Sequence, residues 1–386
     1  MPSRKTNMPD PVADLAWEQV LAWRMKRQHL TQRAPRAAML DVVAALSGVH
    51  AQLMSSAELT LWARVDDLGA GDVAEALWQE RSLVKTWAMR GTLHLLPAAD
   101  LPHWVAAQSF RPSRREDAAW LRYYGLSVAE LDALFAAILA ALGDEPRTRE
   151  ELTDTIAARV GSDMFSEKLR DGFGTLLKPA AFAGRLCFGP DRDRHVTFVA
   201  PEHWLPAMEP ADPEEAIRRV VRDYLAVYGP ATRDDFARWF GLRSAAQAGR
   251  LLADLGDEIA TVTIDGTPHV ARGADIADLT AAKPMESVRL LPAFDQYVVT
   301  APRSGEAVVP SAHRARVYRP QAWLSPVVLH DGRMVGTWRH ERKRETLHVE
   351  IAPFAPLARA VQRAAEQEAE RLADFLSGGL ALRWAR

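Results

Sequence analysis

The apolar positions of this chain fall into two rhythms, and the way they alternate is the first clue to its fold. Over residues 37–48, Met39, Val42, Val43, Leu46 and Val49 recur at spacings of three and four, which lines one side of a helix. Similar spacing predicts helices over 17–28, 55–65 and 73–80. The rhythm then changes to extended runs over 83–90 and 92–97, which read as two strands around Gly91. Helices closed by a hairpin are the order of a winged helix. The order returns with helices over 149–160 and 166–181 and strands over 184–189 and 195–199, and again beyond the linker 206–213. There a helix over 215–228 leads to a turn with Thr232 as N-cap. Helices over 233–240 and 245–255 follow, then strands over 259–264 and 269–270. Three such units predict tandem winged helices.

From Ser287 the pattern shortens to strands over 288–291, 297–300, 327–330, 335–339 and 346–351. Asp331-Gly332 supplies a strong hairpin turn. A small β-barrel is expected there, followed by an amphipathic helix over 357–376 that stops at Gly378-Gly379. The fold class is therefore α+β, with domains expected over 1–143, 144–208, 209–282 and 283–386.

Composition fits a folded chain: 386 residues, 48% hydrophobic and 25% charged. No apolar run approaches the ~18 residues of a membrane span. No apolar segment follows Met1-Pro2-Ser3-Arg4-Lys5, so no secretory signal is expected. The single cysteine, Cys187, excludes an internal disulfide and a multi-cysteine zinc site. These features predict the cytoplasm. A net charge of −2 argues against a nucleic-acid partner until its distribution is considered. Between His313 and Glu345 eight basic residues face three acids, a local excess of five. A polyanion responds to such patches, not to the sum.

Candidate chemistry centres on Leu46-Ser47-Gly48-Val49-His50-Ala51-Gln52. If Gly48 ends the helix, His50 and Gln52 lie two apart on extended backbone and point the same way. Taken alone, such a pair caps a helix end. Familiar enzyme signatures are missing: Gly69-Ala70-Gly71 is no phosphate loop, and His340-Glu341 has no second histidine ligand. The histidines lack metal spacing, so no metal or other cofactor is expected. Cys187 is expected to pack in a wing strand, and Trp62, Trp78, Trp87 and Trp104 in the core. Arg111, Arg114 and Arg115 form a further basic patch.

Four stretches carry a resemblance: Gly48–Gln52, Met89–Leu95, Leu291–Tyr297 and Asp331–Arg339. In them the chain resembles the bacterial winged-helix DNA glycosylases that repair bulky alkylation damage and interstrand crosslinks, the AlkZ-like family. The resemblance implies tandem winged helices plus a β-barrel around a C-shaped DNA channel. It also implies a catalytic motif Gln-x-Gln or Gln-x-Asp, whose positions are His50 and Gln52 here. The implied reaction is monofunctional hydrolysis of the glycosidic bond of an N7-substituted guanine in double-stranded DNA, by a monomer, with a role in self-resistance to a genotoxic natural product left open. Histidine at the first position departs from the family pattern and, unlike glutamine, titrates near pH ~6.5. Arg90, Thr92, Arg314, Arg316, Arg339, Arg342, Lys343 and Arg344 are the candidates for DNA contact. The rival expectation is a non-catalytic winged-helix regulator that dimerises on a palindromic site.

Overall fold

In the computed structural model, which describes residues 10–160, 165–170, 174–302, 306–376 and 378–385, the chain divides by internal packing into two compact units. The first gathers Met1–Ala70, Val221–Phe236 and Ala245–Arg386; the second gathers Gly71–Val220 and Ala237–Ser244. The N-terminal segment Met1 to Lys5 lies outside the described residues, as do 171–173 of the helix expected over 166–181.

In the first unit, strand Ile259–Ile264 pairs antiparallel with Thr267–Arg272 around Asp265-Gly266. On its other side it pairs in parallel with Ala13–Leu15, a strand too short to stand out as a pattern. Leu15, Val20, Trp23, Val262, Ile264, Ala271 and Leu279 close the core beneath this sheet. Helix Trp17–Arg27 lies on it and buries Arg24, whose guanidinium donates to the carbonyls of Gly229 and Pro230 at 3.1 and 2.8 Å. Thr232 caps helix Arg233–Phe240 as expected, its hydroxyl accepting the Asp235 N–H at 3.2 Å.

The strands of the C-terminal part form one five-stranded sheet. Its order is Val288–Leu291, Val327–His330, Arg333–Lys343, Thr346–Pro353 and Gly379–Trp384. Among the described residues its first and last strands do not pair, so the expected barrel is an open sheet. One reason is local: residues 297–300 are not a strand. The Asp295 carboxylate accepts the Tyr297 N–H at 2.8 Å and starts the short helix Gln296–Thr300. The final strand, Gly379–Trp384, joins Thr346–Pro353 in parallel after helix Arg359–Phe375 has crossed back over the sheet. That helix buries Ala365, Glu368, Ala369, Leu372 and Ala373, a single stripe at spacings of three and one. The Asp331-Gly332 turn forms as read from the sequence, with φ of 47° and 80°. Gly332 is obligatory there: a Cβ would lie 2.7 Å from Leu21 and 2.8 Å from the Tyr297 hydroxyl.

In the second unit, Leu83–Trp87 and Leu93–Pro97 pair antiparallel around a 3-10 turn at Met89–Gly91. A second sheet sets His195–Val199 between Arg147–Thr148 and Cys187–Arg192. Trp87, Phe188 and Phe198 join the two, with ring centroids 4.8 to 6.1 Å apart. Cys187 is buried here, and desolvation pushes its thiol pKa up, so it packs instead of reacting. The single helix expected over 166–181 is instead two short ones among the described residues, Ser166–Leu169 and Lys178–Phe182. Helix Val128–Ala141, not expected from the sequence, opens on a capping box of Ser127 and Glu130. No single helix is long and apolar enough to cross a membrane among the described residues.

Candidate active site

Helix Met39–Ala45 ends in a Schellman motif. The Gly48 N–H bonds to the Val43 carbonyl at 3.0 Å and the Ser47 N–H to the Ala44 carbonyl at 2.8 Å. The left-handed residue at the first position beyond the cap is Ser47 (φ 54°), with Gly48 (φ 91°) following it. The helix therefore stops one residue earlier than Gly48 alone would dictate. Two carbonyls at this end are held by distant side chains of the same unit. The Tyr228 hydroxyl donates to the Leu46 carbonyl at 2.6 Å, and the Gln296 amide donates to the Gly48 carbonyl.

The clamped turn delivers a two-residue strand, Val49–His50. His50 is 6% exposed and its imidazole stacks on Phe294, with centroids 5.2 Å apart and planes inclined by 17°. The strand stops at His50. Gln52 sits in a bend before helix Met54–Trp62 and is exposed. Extended backbone thus reaches only as far as His50, and the bend at Gln52 no longer obliges the two side chains to share a side. What the turn presents is a sheltered imidazole with a solvent-facing amide two residues on.

Phe294 occupies its place at a conformational cost, with φ of 58° in a non-glycine residue. Its neighbours hold it there. Asp295 and Arg64, both fully buried, meet through two hydrogen bonds of 2.7 and 2.8 Å, and Arg64 also donates to the Thr60 carbonyl at 2.9 Å. The adjacent Gln296 is fully buried, and its amide secures Gly48. On the outer side of Phe294 the indole of Trp323 packs edge-on, with centroids 4.9 Å apart at 75°. The stretch Leu291–Tyr297 is tied in turn to the last motif: Trp338 Nε1 donates to the Leu291 carbonyl and the Tyr297 hydroxyl to the Gly332 carbonyl, both at 2.8 Å. Three of the four stretches singled out in the sequence are therefore linked in series, with Leu291–Tyr297 joining Asp331–Arg339 to the turn that carries His50.

The basic candidates are distributed differently. Arg339, Arg342 and Lys343 lie along strand Arg333–Lys343, which runs two residues further at its start and four at its end than expected, and Arg344 sits at its turn with φ of 57°. Arg339 is occupied by Glu350 at 2.8 Å, and Glu350 also receives Arg383; those two cations hold its carboxyl below the usual range. Lys343 pairs with Glu341 at 3.1 Å, and Arg342 donates to the Leu376 carbonyl at 3.1 Å. Arg314 opens the short helix Arg314–Val317, while Arg316 lies 4.9 Å over the Phe354 ring and donates to the Ala352 carbonyl at 3.1 Å.

Arg90 and Thr92 belong to the second unit. Arg90 (φ 56°) donates to the Trp239 carbonyl at 2.6 Å and so ties the turn to a distant segment of the same unit, while Thr92 donates to the Met89 carbonyl at 3.1 Å and braces the turn itself. Arg111 lies nearby, its pKa lowered to about 10 by burial and by Arg114 and Arg90. Among the described residues no group of three or more His, Cys, Asp and Glu side chains is placed to hold a metal ion.

Sequence reasoning missed Phe294, the Arg64–Asp295 pair, Gln296 and Trp323. Three of these lie inside a stretch already marked by resemblance, but no local period points from residue 294 back to residue 50. Comparison with known proteins adds an independent line. The family described as DNA glycosylase AlkZ-like matches residues 43–375. An interstrand DNA cross-link repair glycosylase of Streptomyces sahachiroi is 35% identical over 362 residues, 93% of this chain and 96% of the relative. The solved structure of the DNA glycosylase AlkZ from that organism superposes with a TM-score of 0.85 at 34% identity, covering 96% of this chain and all of that one.

Proposed function

This chain belongs to the AlkZ-like DNA glycosylase family, and from that premise we propose that it excises N7-alkylated guanines, including bulky and crosslinked ones, with His50 and Gln52 handling the attacking water. It is an enzyme that hydrolyses N-glycosyl bonds. The crosslink specificity rests on a relative that is named for crosslink repair and matched over nearly its full length.

An N7-substituted guanine is already cationic, so its C1′–N9 bond breaks with the electron pair neutralising the departing base. No strong acid is then needed. What remains is to place a water at C1′, shelter an oxocarbenium-like sugar and receive one proton. A neutral imidazole accepts that proton from the water as oxygen bonds to C1′, and the Gln52 carbonyl oxygen accepts a hydrogen bond that orients the same water. The observation that carries this assignment is the sheltered, stacked imidazole of His50 at the first position of the family motif, beside an exposed amide at the second.

The substrate is double-stranded DNA, bound by a monomer in the cytoplasm through Arg90, Thr92, Arg314, Arg316, Arg339, Arg342, Lys343 and Arg344. Three tandem winged helices with the C-terminal sheet would line a C-shaped channel, which suits lesions too bulky to rotate through a duplex into a pocket. The element order supports this, since helices precede the hairpins at 187–199 and 259–272. The test is direct. Duplex carrying N7-methylguanine, a crosslink or a bulky adduct is incubated with the protein, and alkali-labile abasic sites are counted. Release of base supports the assignment, and preference for a bulky adduct supports a self-resistance role. Tight binding without release would return the chain to the regulator reading.

A further inference from the structure

We propose that Trp323 is a stacking platform for a flat ring of the DNA substrate next to His50, either a nucleobase flanking the lesion or a planar adduct. The inference rests on the glycosylase reading above.

Trp323 is 41% exposed, among few large apolar side chains left in water. Its ring packs edge-on against Phe294, and Phe294 stacks on His50. The indole is thus the outer member of a three-ring series whose inner member is the imidazole assigned to the reaction. The indole braces Phe294 from outside and still leaves much of its own apolar surface in water.

The backbone beneath it is built to hold it out. Gln321 and Ala322 are consecutive non-glycine residues in the left-handed region, with φ of 59° and 58°, an arrangement that costs free energy at each position. The turn is closed on both sides of the indole. The Trp323 N–H donates to the Pro320 carbonyl at 3.3 Å, and the Trp323 carbonyl accepts the Arg319 N–H at 2.9 Å. Tyr318 and Leu324 then bridge its base. A backbone fixed in this way has less freedom left to lose when a partner stacks on the ring that it carries.

The chemistry of the partner follows. An indole face attracts flat π-systems, and both a nucleobase and a polycyclic adduct present one. Arg316 and Arg319, seven and four residues before Trp323 in the chain, are exposed and supply charge toward a phosphate backbone. A protein or lipid partner would be served by a wider apolar patch than one indole.

The experiment uses the full chain in single-turnover excision from duplexes carrying either N7-methylguanine or a flat polycyclic N7 adduct, with 2-aminopurine beside the lesion. Wild type is compared with Trp323→Ala and Trp323→Phe. Loss of the platform should raise the half-saturating enzyme concentration about five- to a hundredfold, the range for removing one base stack, with a smaller change in the limiting rate and partial recovery in Trp323→Phe. If the partner is a flanking base, both lesions suffer alike and the 2-aminopurine quenching disappears in Trp323→Ala. If it is the adduct, only the polycyclic substrate suffers and the quenching stays. Wild-type saturation and quenching in Trp323→Ala, with wild type releasing base, overturns the platform and leaves the glycosylase assignment standing. Failure of wild type to release any base overturns that assignment and the platform with it.

Discussion

The Arg64 guanidinium and the Asp295 carboxylate face each other through hydrogen bonds of 2.7 and 2.8 Å, with neither side chain exposed to water. This pair anchors the segment that carries Phe294 to the residue just beyond helix Met54–Trp62, which follows the His50–Gln52 motif. Removing one partner leaves a buried charge uncompensated, at a cost of about 3–5 kcal/mol. Asp295→Ala should lower stability by that order in chemical denaturation. A loss under about 1 kcal/mol would mean that water or another group reaches Arg64.

His50→Ala and Gln52→Ala should each reduce excision more than tenfold while duplex affinity stays near wild type. Because Gln52 is exposed, its variant should also keep the wild-type melting temperature. Full activity in both would make the motif structural.

His50 also sets a pH signature. If His50 takes the proton as proposed, it must be neutral to do so, and the excision rate should fall as acid protonates it. His50→Gln restores the amide found at this position in the family pattern and should abolish that acid limb while retaining activity. An unchanged acid limb in His50→Gln would move the titration to another group.

Gln296 is a positioning residue: its amide secures the Gly48 carbonyl at the turn that presents His50. Gln296→Leu, close in volume, should cost about 1–3 kcal/mol by leaving that carbonyl without its donor. It should also slow single-turnover excision without weakening binding. Equal losses in affinity and rate would argue that Gln296 contacts DNA instead.

Stability has its own pH dependence. Burial holds the His269 imidazole below its ordinary value of about 6.5, and His29 is lowered for the same reason. Between the lowered and the ordinary value the unfolded chain binds more protons than the folded one, so stability rises with pH. It is fully present above about 6.5 and is lost as pH falls through that value toward the folded one. Melting temperature should therefore drop on acidification, and His269→Gln should flatten the drop. The same titration separates unfolding from the acid limb assigned to His50.

At the hairpin tip, replacing Arg342, Lys343 and Arg344 with glutamine should weaken binding equally across sequences. The slope of log affinity against log salt should flatten by about 0.9 for each phosphate that is no longer neutralised. Arg339 shares Glu350 with Arg383, so Arg339→Gln should matter less. A larger effect from Arg339 would show that DNA displaces its carboxylate.

Much of the local structure was legible in the sequence. Helices Arg149–Val160 and Arg233–Phe240 and strands Ile259–Ile264, Val288–Leu291 and Val327–His330 lie where periodicity puts them, because each has one face to bury and nearby signals that end it. The Asp331-Gly332 hairpin was equally plain. Strand Ala13–Leu15 was not: three residues carry no period, and its parallel partner begins at residue 259. Residues 297–300 misled for a related reason, since Tyr-Val-Val-Thr has strand propensity that the Asp295 cap overrides.

By itself, then, the sequence determined most of the elements and turns, which depend on neighbours a few positions apart, and resemblance alone marked the two residues of the motif. The tertiary structure decided how that motif is used. It ended the strand at His50 and exposed Gln52; it laid Phe294 on the imidazole and joined Arg64 to Asp295 across 231 positions. It also left the C-terminal strands as an open sheet. Contacts between segments so far apart are selected by the packing of the whole unit, and no local pattern encodes them.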